Sequence, residues 1–231
     1  MYADFSWKML TLSVGSKERP GFPLDKHAAL SSGMLVEGMN TQPIPQIRGE
    51  IKNYLNIPGM KGWLAFKGHI AYGALAENNW QKNHVNPGQY FVKDVLYHSK
   101  SLMFRLGKKE RFPLEFEFGI LMATQFGGDQ YFKLEDGTVE KTQDMPSNLK
   151  AYWKAFFPQG GGSDTPEGEQ FNVEGNMLGS WNFALNYYVG EWKFRAYLEH
   201  YFEDQSQMFW EYGRWKDGQI GLEVTLPKNR W

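Results

Sequence analysis

The clearest pattern along the chain is the alternation of apolar and polar residues over Leu114–Phe126. Phe116 and Phe118 share one phase, and Glu115 and Glu117 share the other. Successive side chains of a β-strand point to opposite faces of the sheet, so this run predicts a strand with one apolar and one charged face. Its 13 residues exceed the ~5–6 usual for strands of soluble sheets and suffice for a tilted strand to cross a bilayer, which takes ~9–11.

The same alternation recurs from one end of the chain to the other, separated by Gly, Pro and charged turns. It predicts an all-β fold in which an antiparallel meander of roughly nine or ten strands forms part or all of a transmembrane β-barrel. Two apolar phases occur within Asp4–Val14, which suggests a bulge in that strand. The predicted strands are Asp4–Val14, Ala28–Glu37, Ile44–Tyr54, Gly62–Leu75, Asp94–Gly107, Leu114–Phe126, Met177–Val189, Glu191–Glu203 and Gly218–Leu226.

One segment, Pro146–Phe157, has helical instead of alternating spacing, with Tyr152, Trp153 and Phe156 on one side. We therefore predict a single short helix near residues 147–157, with Ser147 as its N-cap. Two interpretations stay open at this stage. The helix packs on its neighbours at the surface, or it belongs to a loop insertion that caps a barrel.

Composition narrows the class of protein. The 231 residues are 16% aromatic, which suits a lipid-facing girdle or a surface that stacks on sugars. Mean hydropathy is -0.55 and no run of ~18 apolar residues occurs, which argues against a helical membrane protein but not against a barrel. The net charge of -1 gives no sign of nucleic-acid binding, and without cysteine there are no disulfides.

Charged residues occupy the polar phase of several predicted strands. They would form the solvated exterior of a soluble sandwich or the lumen of a barrel, and the length of the strands favours the barrel. The predicted lumen-facing residues are Lys67, His69, Glu115, Glu117, Lys193, Arg195, Glu199 and Glu223.

Evidence for catalysis or metal binding is weak. Glu115 and Glu117 would lie about 6.5–7 Å apart on one face, within the ~5–9.5 Å range of paired glycosidase carboxyls, but any acidic pair at this spacing does so. The 5 histidines form no metal-binding motif, and no nucleophile or phosphate-loop motif occurs. The sequence thus predicts neither enzymatic activity nor a metal or other cofactor.

Five residues are candidates for contact with a glycan: Trp80, His84, Arg105, Glu203 and Asp204. Trp80 lies in a polar loop, where its ring could stack on a sugar, and Glu203 and Asp204 fall where a predicted strand meets its turn. The simpler alternative for the acidic pair is that it supports the turn by hydrogen bonds.

Several segments resemble the Bacteroidetes branch of the Wzi-like capsule assembly family. These segments are Ile57–Leu64, Lys67–Gly73, Asn79–Lys82, Val95–Leu102, Gln125–Gly128 and Phe202–Ser206. The resemblance implies an outer-membrane β-barrel that holds capsular polysaccharide, with no enzyme activity and no cofactor. Family members are considerably longer, so the resemblance also implies that residues 1–231 are an internal fragment of a longer barrel.

The first residues, Met1–Phe5, lack the basic start and apolar stretch of an export signal, so we expect that signal to be missing from this sequence. We interpret residues 1–231 as one β-barrel domain in the outer membrane, with capsular polysaccharide and lipid as partners. Two alternatives stay open. One is a soluble β-sandwich enzyme acting on glycans through Glu115 and Glu117, and the other is a passive pore or structural barrel.

Overall fold

The structure is a computed structural model, and it describes residues 1–19, 21–31, 33–40, 42–157, 176–203, 208 and 217–227. The described part contains 12 strands and two helices. In chain order they are β1 (Tyr2–Trp7), β2 (Leu10–Gly15), β3 (Gln46–Asn56), β4 (Leu64–Ala74), α1 (Trp80–His84), β5 (Gln89–Lys93), β6 (Leu96–Leu106), β7 (Leu114–Phe126), β8 (Asp129–Lys133), β9 (Val139–Asp144), α2 (Leu149–Phe156), β10 (Asn176–Val189), β11 (Trp192–Phe202) and β12 (Gly218–Thr225). Neither helix in the described part is long and apolar enough to cross a membrane.

The dominant element is a 9-stranded antiparallel sheet in the order β1-β2-β3-β4-β6-β7-β10-β11-β12. Strands β5, β8 and β9 form a separate 3-stranded antiparallel sheet. The predicted all-β antiparallel fold is therefore confirmed. Strands β1 and β12 are the two edges of the large sheet, which is not closed among the residues described.

The two ends of the large sheet differ in their connections. At one end, the hairpin end, neighbouring strands are joined by residues 8–9, 57–63, 107–113 and 190–191. At the other end, the loop end, the connections are the much longer stretches 16–45, 75–95, 127–175 and 203–217. The small sheet and both helices belong to these long connections, so the added structure gathers at the loop end.

The two faces of the large sheet have the opposite polarity to those of a water-soluble sandwich. On the face we call outer, Trp7 is 70% exposed and Leu222 is 82% exposed. On the face we call inner, Lys67 and Glu199 are fully buried. Because side chains alternate along each strand, every strand contributes to both faces. In this sheet the apolar face is left uncovered and the charged face is covered.

The described residues within 16–45, which we call the covering segment, lie against the inner face. Neighbouring residues of this segment reach distant strands, because Asp25 bonds Lys67 on β4 and Lys26 bonds Gln219 on β12. These two strands are five positions apart in the sheet, or about 24 Å if the sheet were flat. Strand side chains stand roughly perpendicular to their sheet, so the sheet must curl around the covering segment.

An apolar cluster joins the covering segment to the middle of the sheet. Leu24, Met34 and Val36 pack with Met103 and Leu121, which belong to β6 and β7. Leu121 and Ala123 interrupt the polar phase of β7. They are apolar because they pack against the covering segment in this buried cluster. The inner face is therefore apolar in its middle and charged around it.

Helix α2 covers part of the outer face near the loop end. Its Ala151 and Ala155 pack against Phe126, while Tyr152 makes ring contacts with Tyr72 and Phe126. The centre of the Phe156 ring lies 4.5 Å from the ammonium nitrogen of Lys100, a charged residue that projects from the outer face of β6. The helix thereby shields a cation on the mostly apolar outer face.

The structure corrects several local predictions. Asp4–Val14 is not one bulged strand but the hairpin β1–β2, which turns at Lys8 with its positive φ of 53° and so places both apolar phases on the outer face. The predicted strand Ala28–Glu37 is wrong: its described residues form turns and one isolated bridge between Gly33 and Gly38.

The predicted short helix is confirmed as α2, but its N-cap is Asn148 and not Ser147. The Asn148 Oδ1 atom accepts a hydrogen bond of 3.1 Å from the Ala151 amide. Strands β5, β8 and β9 and helix α1 were not predicted. Each of these four elements has only 5 or 6 residues, too few for a clear periodic signal.

Candidate functional site

A network of buried charges connects the covering segment to the inner face. Arg195 on β11 lies 2.9 Å from the Glu117 carboxylate on β7 and also donates to the Leu24 carbonyl oxygen of the covering segment. The Asn186 amide donates to the same carboxylate at 2.7 Å. The geometry fixes the rotamers of all three polar side chains and ties the segment to the sheet.

A second centre of this network is Lys26 in the covering segment. Its ammonium group donates to Glu199 at 2.5 Å, to Gln219 at 2.6 Å and to the Gly33 carbonyl oxygen at 3.0 Å. All three hydrogens of the ammonium group are thus used, so a fully buried cation is satisfied in charge and in hydrogen bonding.

The remaining predicted lumen-facing residues lie on the same face. His69 is buried between the Ser99 and Ser101 hydroxyls, at 2.9 and 2.7 Å. Glu223 accepts from the His27 amide at 3.2 Å, and Lys193 is half-buried. All eight residues therefore lie on the inner face; they are Lys67, His69, Glu115, Glu117, Lys193, Arg195, Glu199 and Glu223.

The two carboxylates considered for catalysis are both engaged by neighbouring side chains. Glu115 accepts a hydrogen bond of 2.7 Å from the Tyr188 hydroxyl and lies 3.8 Å from Arg105. Glu117 is held by Arg195 and also accepts from Tyr54 at 3.2 Å. Both carboxylates are buried in the charged network, and these contacts account for them as structural groups.

The predicted glycan-contacting residues do not converge on one place. Trp80 and His84 stack on each other at 4.9 Å on the exposed helix α1, at the loop end. Arg105 lies beside the last residue of β6, at the hairpin end, about 30 Å along the strand from its first residue. Glu203 is exposed just after β11, with the Tyr201 hydroxyl 3.1 Å away, and Asp204 lies outside the described residues.

The structure reveals a cavity that the sequence did not predict. It lies at the loop end between the covering segment and the inner face of β3, β6, β7 and β10, with a volume of about 350 Å³. Its lining includes Arg19, Val36, Glu37, Ile44, Gln46, Arg48, Tyr97, Thr124 and Leu178.

Three polar side chains in this cavity keep hydrogen-bonding capacity that the protein does not use. Arg48 is fully buried; its Nε donates to Glu50 at 2.9 Å and its Nη1 lies 3.4 Å from Glu37, but its Nη2 has no partner. The Arg19 Nη2 and the Gln46 Oε1 also lack partners. Burial and the nearby Arg48 guanidinium lower the pKa of Arg19.

A signal for this cavity was available in the sequence but did not stand out. Gln46, Arg48 and Glu50 alternate with apolar residues or glycine along β3, the pattern that marked the other polar-face residues. The prolines at positions 43 and 45 made this run look like a weak strand. The partner wall of the cavity comes from the covering segment, whose sequence has no regular period.

The described residues contain no group of three or more His, Asp or Glu side chains arranged to hold a metal ion. Comparison with known proteins finds no matching family model, no matching curated protein and no matching solved structure.

Proposed function

We propose that this chain forms the wall of an outer-membrane β-barrel together with the segment that fills it, and that it acts in capsular polysaccharide assembly or attachment by binding glycan. Closure of the barrel, through pairing of the free edges of β1 and β12 with each other or with further strands, is part of this proposal. Closure would remove the unpaired backbone groups at both edges.

The observation that carries the membrane part of the proposal is the exposed apolar outer face. Large side chains such as Phe116, Leu185, Ile220 and Leu222 are between 38% and 82% exposed and lie on one continuous surface. A soluble protein rarely exposes an apolar patch of more than a few hundred Å². Lipid is the partner that suits such a surface around a charged interior.

Two further features support a membrane location. Six strands of the large sheet, from β3 to β11, have 11 to 14 residues, and a tilted membrane-crossing strand needs ~9–11. Short turns at one end and long connections at the other are typical of outer-membrane barrels.

Helix α2 suits the boundary between lipid and water. Its Trp153 is 64% exposed and Leu149 is 88% exposed, and Lys150 and Lys154 lie on the same short helix. Aromatic rings beside lysines are enriched where the hydrocarbon meets the headgroups. The helix packs near the loop end of the outer face, where the long strands would leave the hydrocarbon.

The glycan part of the proposal is supported by the resemblance of segments such as Ile57–Leu64 and Val95–Leu102 to Wzi-like capsule assembly proteins. The covering segment supports binding over transport, because it fills the space that a passive pore would leave open. The engagement of Glu115 and Glu117 in the buried network favours binding over glycan hydrolysis.

The membrane part can be tested with single-cysteine variants, because the chain has 0 native cysteines. A spin label at Leu222→Cys, in protein reconstituted into phosphatidylcholine vesicles, should be accessible to oxygen and shielded from a water-soluble nickel chelate. A label at Leu30→Cys, equally exposed in the covering segment at 78%, is the matched control and should show the reverse. Equal access of the nickel chelate to both labels would contradict the proposal.

The glycan part can be tested by retention of purified capsular polysaccharide on the immobilised, reconstituted protein. We expect retention by the folded protein and none by the heat-unfolded protein. The variant Trp80→Ala combined with Asp204→Ala tests the residues that the sequence suggested. Undiminished retention by that variant would remove both residues from the binding site.

A further inference from the structure

The geometry points to the cavity at the loop end as a binding site for one uncharged sugar unit. This inference rests on the proposed glycan binding and assigns it to a place that the sequence did not indicate. The site is formed by Arg19, Arg48 and Gln46 together with the apolar wall around Tyr97.

The polar residues of the cavity combine unused hydrogen-bond donors with an unused acceptor. The Nη2 groups of Arg19 and Arg48 have no acceptor, and the Gln46 amide oxygen has no donor, although all three atoms are buried. A buried polar group without a partner is rare, because it loses its hydration without compensation. A sugar hydroxyl can accept from a guanidinium and donate to an amide oxygen, so a ring in the cavity would give these side chains partners once their end groups turn toward it.

The charged side chains around the cavity already neutralise one another. Arg48 already contacts the carboxylates of Glu50 and Glu37, and Glu50 also lies 3.6 Å from Arg19. When the neighbouring ions are counted as well, four carboxylates balance four cations before any ligand enters: Asp4, Glu18, Glu37 and Glu50 against Lys17, Arg19, Arg48 and Lys52. A carboxylate or phosphate ligand would add a negative charge to a balanced cluster, whereas a neutral hydroxyl would not.

The size and the remaining lining of the cavity suit a sugar ring. At about 350 Å³ it falls at the lower end of the ~300–1,000 Å³ range of small-molecule sites. Val36, Ile44 and Leu178 supply an apolar wall, and Tyr97 adds an aromatic ring whose hydroxyl is already bonded to Glu37 at 2.9 Å. A few polar atoms against an apolar wall suit a ring with one polar edge and one C–H face.

The position of the cavity also agrees with contact to a polymer outside the sheet. Gln46 and Tyr97 lie at or next to the loop-end termini of their strands, and Pro43 and Ile44 precede β3 at the same end. The cavity thus lies near the ends of the strands and not deep inside the curled sheet. One unit of a longer glycan could occupy it while the rest of the chain continues past the loops.

The test uses the reconstituted full chain and saturation-transfer NMR with four probes: the methyl glycosides of glucose, galactose and mannose, and N-acetylglucosamine. We expect at least one probe to bind and its affinity to fall about tenfold in Gln46→Leu. The Gln46 amide oxygen has no partner in the protein, so this substitution should leave the thermal midpoint unchanged or raise it. The matched control Gln143→Leu, in the small sheet, should bind like the original chain.

A second variant and a charged probe complete the test. Arg48→Lys keeps a cation beside Glu50 but removes the unpaired Nη2 group, and it should also weaken binding about tenfold. Binding of none of the four probes, or unchanged affinity in both variants, would overturn the inference. D-glucuronate binding tenfold more tightly than every neutral probe would overturn the uncharged assignment.

These outcomes separate this inference from the proposed function. If the folded protein retains polysaccharide and both cavity variants retain it equally, the function stands and the cavity assignment is wrong. If a neutral probe binds in the cavity but capsular polysaccharide is not retained, the cavity assignment stands and the capsule function is wrong.

Discussion

Individual buried charges on the inner face are compensated one by one. Arg195 and Lys26 each have hydrogen-bond partners from two or more separate segments or strands. Such groups are costly to bury alone and are tolerated when paired. The stability of the protein should therefore respond sharply to the removal of one partner and much less to the removal of both.

The pair formed by Glu117 and Arg195 provides a test of this balance. Glu117→Leu leaves the Arg195 guanidinium buried without its carboxylate, so we expect the free energy of unfolding to fall by roughly 3–5 kcal/mol. Adding Arg195→Met should recover most of that loss. Urea unfolding of the reconstituted protein, followed by tryptophan fluorescence, measures both.

The exposed carboxylate of Glu140 on β9 provides the control. Glu140→Leu should change the free energy of unfolding by no more than about 0.5 kcal/mol. A loss as large as that of Glu117→Leu would show that the inner-face pair has no special role.

At the residue scale, the sequence predicted which side chains share a face but not what covers them. Period-two alternation fixes the phase of Glu115, Glu117, Arg195 and Glu199, and all four lie on the inner face. Their partners Leu24 and Lys26 come from a stretch more than 90 residues away from Glu117, so no local pattern could reveal the contact.

At the element scale, the covering segment is held by side-chain bonds instead of strand pairing. Its described residues contain one isolated bridge, and its attachment depends on groups such as Lys26, Asp25 and Leu24. Segments held in this way can be released without unfolding the sheet, because the ladders of the large sheet do not pass through them.

Lys26→Met tests this attachment. The substitution removes three hydrogen bonds and leaves Glu199 buried without its cation, so we expect the segment to loosen from the inner face. Ion conductance across a planar bilayer containing the protein should then rise above that of the original chain. Lys8→Met, at the hairpin end, is the control and should not raise the conductance. If Lys26→Met stays non-conducting, the covering segment is held mainly by its apolar contacts.

Helix α2 provides an element-scale test of its own. Phe156→Ala uncovers the Lys100 ammonium group on the outer face, and Lys100→Met removes the charge. A double-mutant cycle on these two residues should give a coupling energy of roughly 1–2 kcal/mol in thermal or urea unfolding. The same cycle with Phe157 in place of Phe156 should give a value near zero, and equal couplings would show that the ring does not shield the cation.

Elements were predictable from the sequence where they are long and regular. Five of the six strands of 11 to 14 residues gave clear alternation, β3 being the weaker one, and α2 gave a helical spacing. The hairpin β1–β2 looked like one strand because its two arms place their apolar residues on the same face. The small sheet was missed because its strands have only 5 or 6 residues. The covering segment was missed because side-chain bonds hold it in place, and such bonds leave no periodic pattern in the sequence.

At the scale of the whole molecule, the proposal depends on what surrounds the outer face. Leu222→Lys in the reconstituted protein should lower the free energy of unfolding by about 2–4 kcal/mol if the side chain lies near the middle of the hydrocarbon. In water the same substitution, at a position 82% exposed, would cost no more than about 0.5 kcal/mol.

Leu30→Lys is the matched control, since Leu30 is 78% exposed but belongs to the covering segment. It should be tolerated in vesicles, as in water. Equal tolerance of both lysines in vesicles would contradict a lipid-facing outer surface, and equal loss would point to a general effect of the new charge.

The class of fold was predictable from the sequence, whereas the cavity was not. Alternation alone allowed a soluble sandwich or a barrel, and the structure resolves the polarity of the two faces through the burial of Lys67 and the exposure of Leu222. The cavity requires the covering segment and four strands to come together, which depends on the tertiary fold.

The polar interior has a calorimetric consequence. Heat-capacity increments on unfolding are positive because apolar surface becomes hydrated, while newly hydrated polar surface lowers them. If the outer face lies in lipid as proposed, unfolding would hydrate a largely polar interior, while hydrocarbon or detergent would remain around side chains such as Phe116 and Leu222. Its heat-capacity increment per residue should therefore fall well below the ~12–15 cal/mol/K of water-soluble domains, giving an unusually flat dependence of stability on temperature.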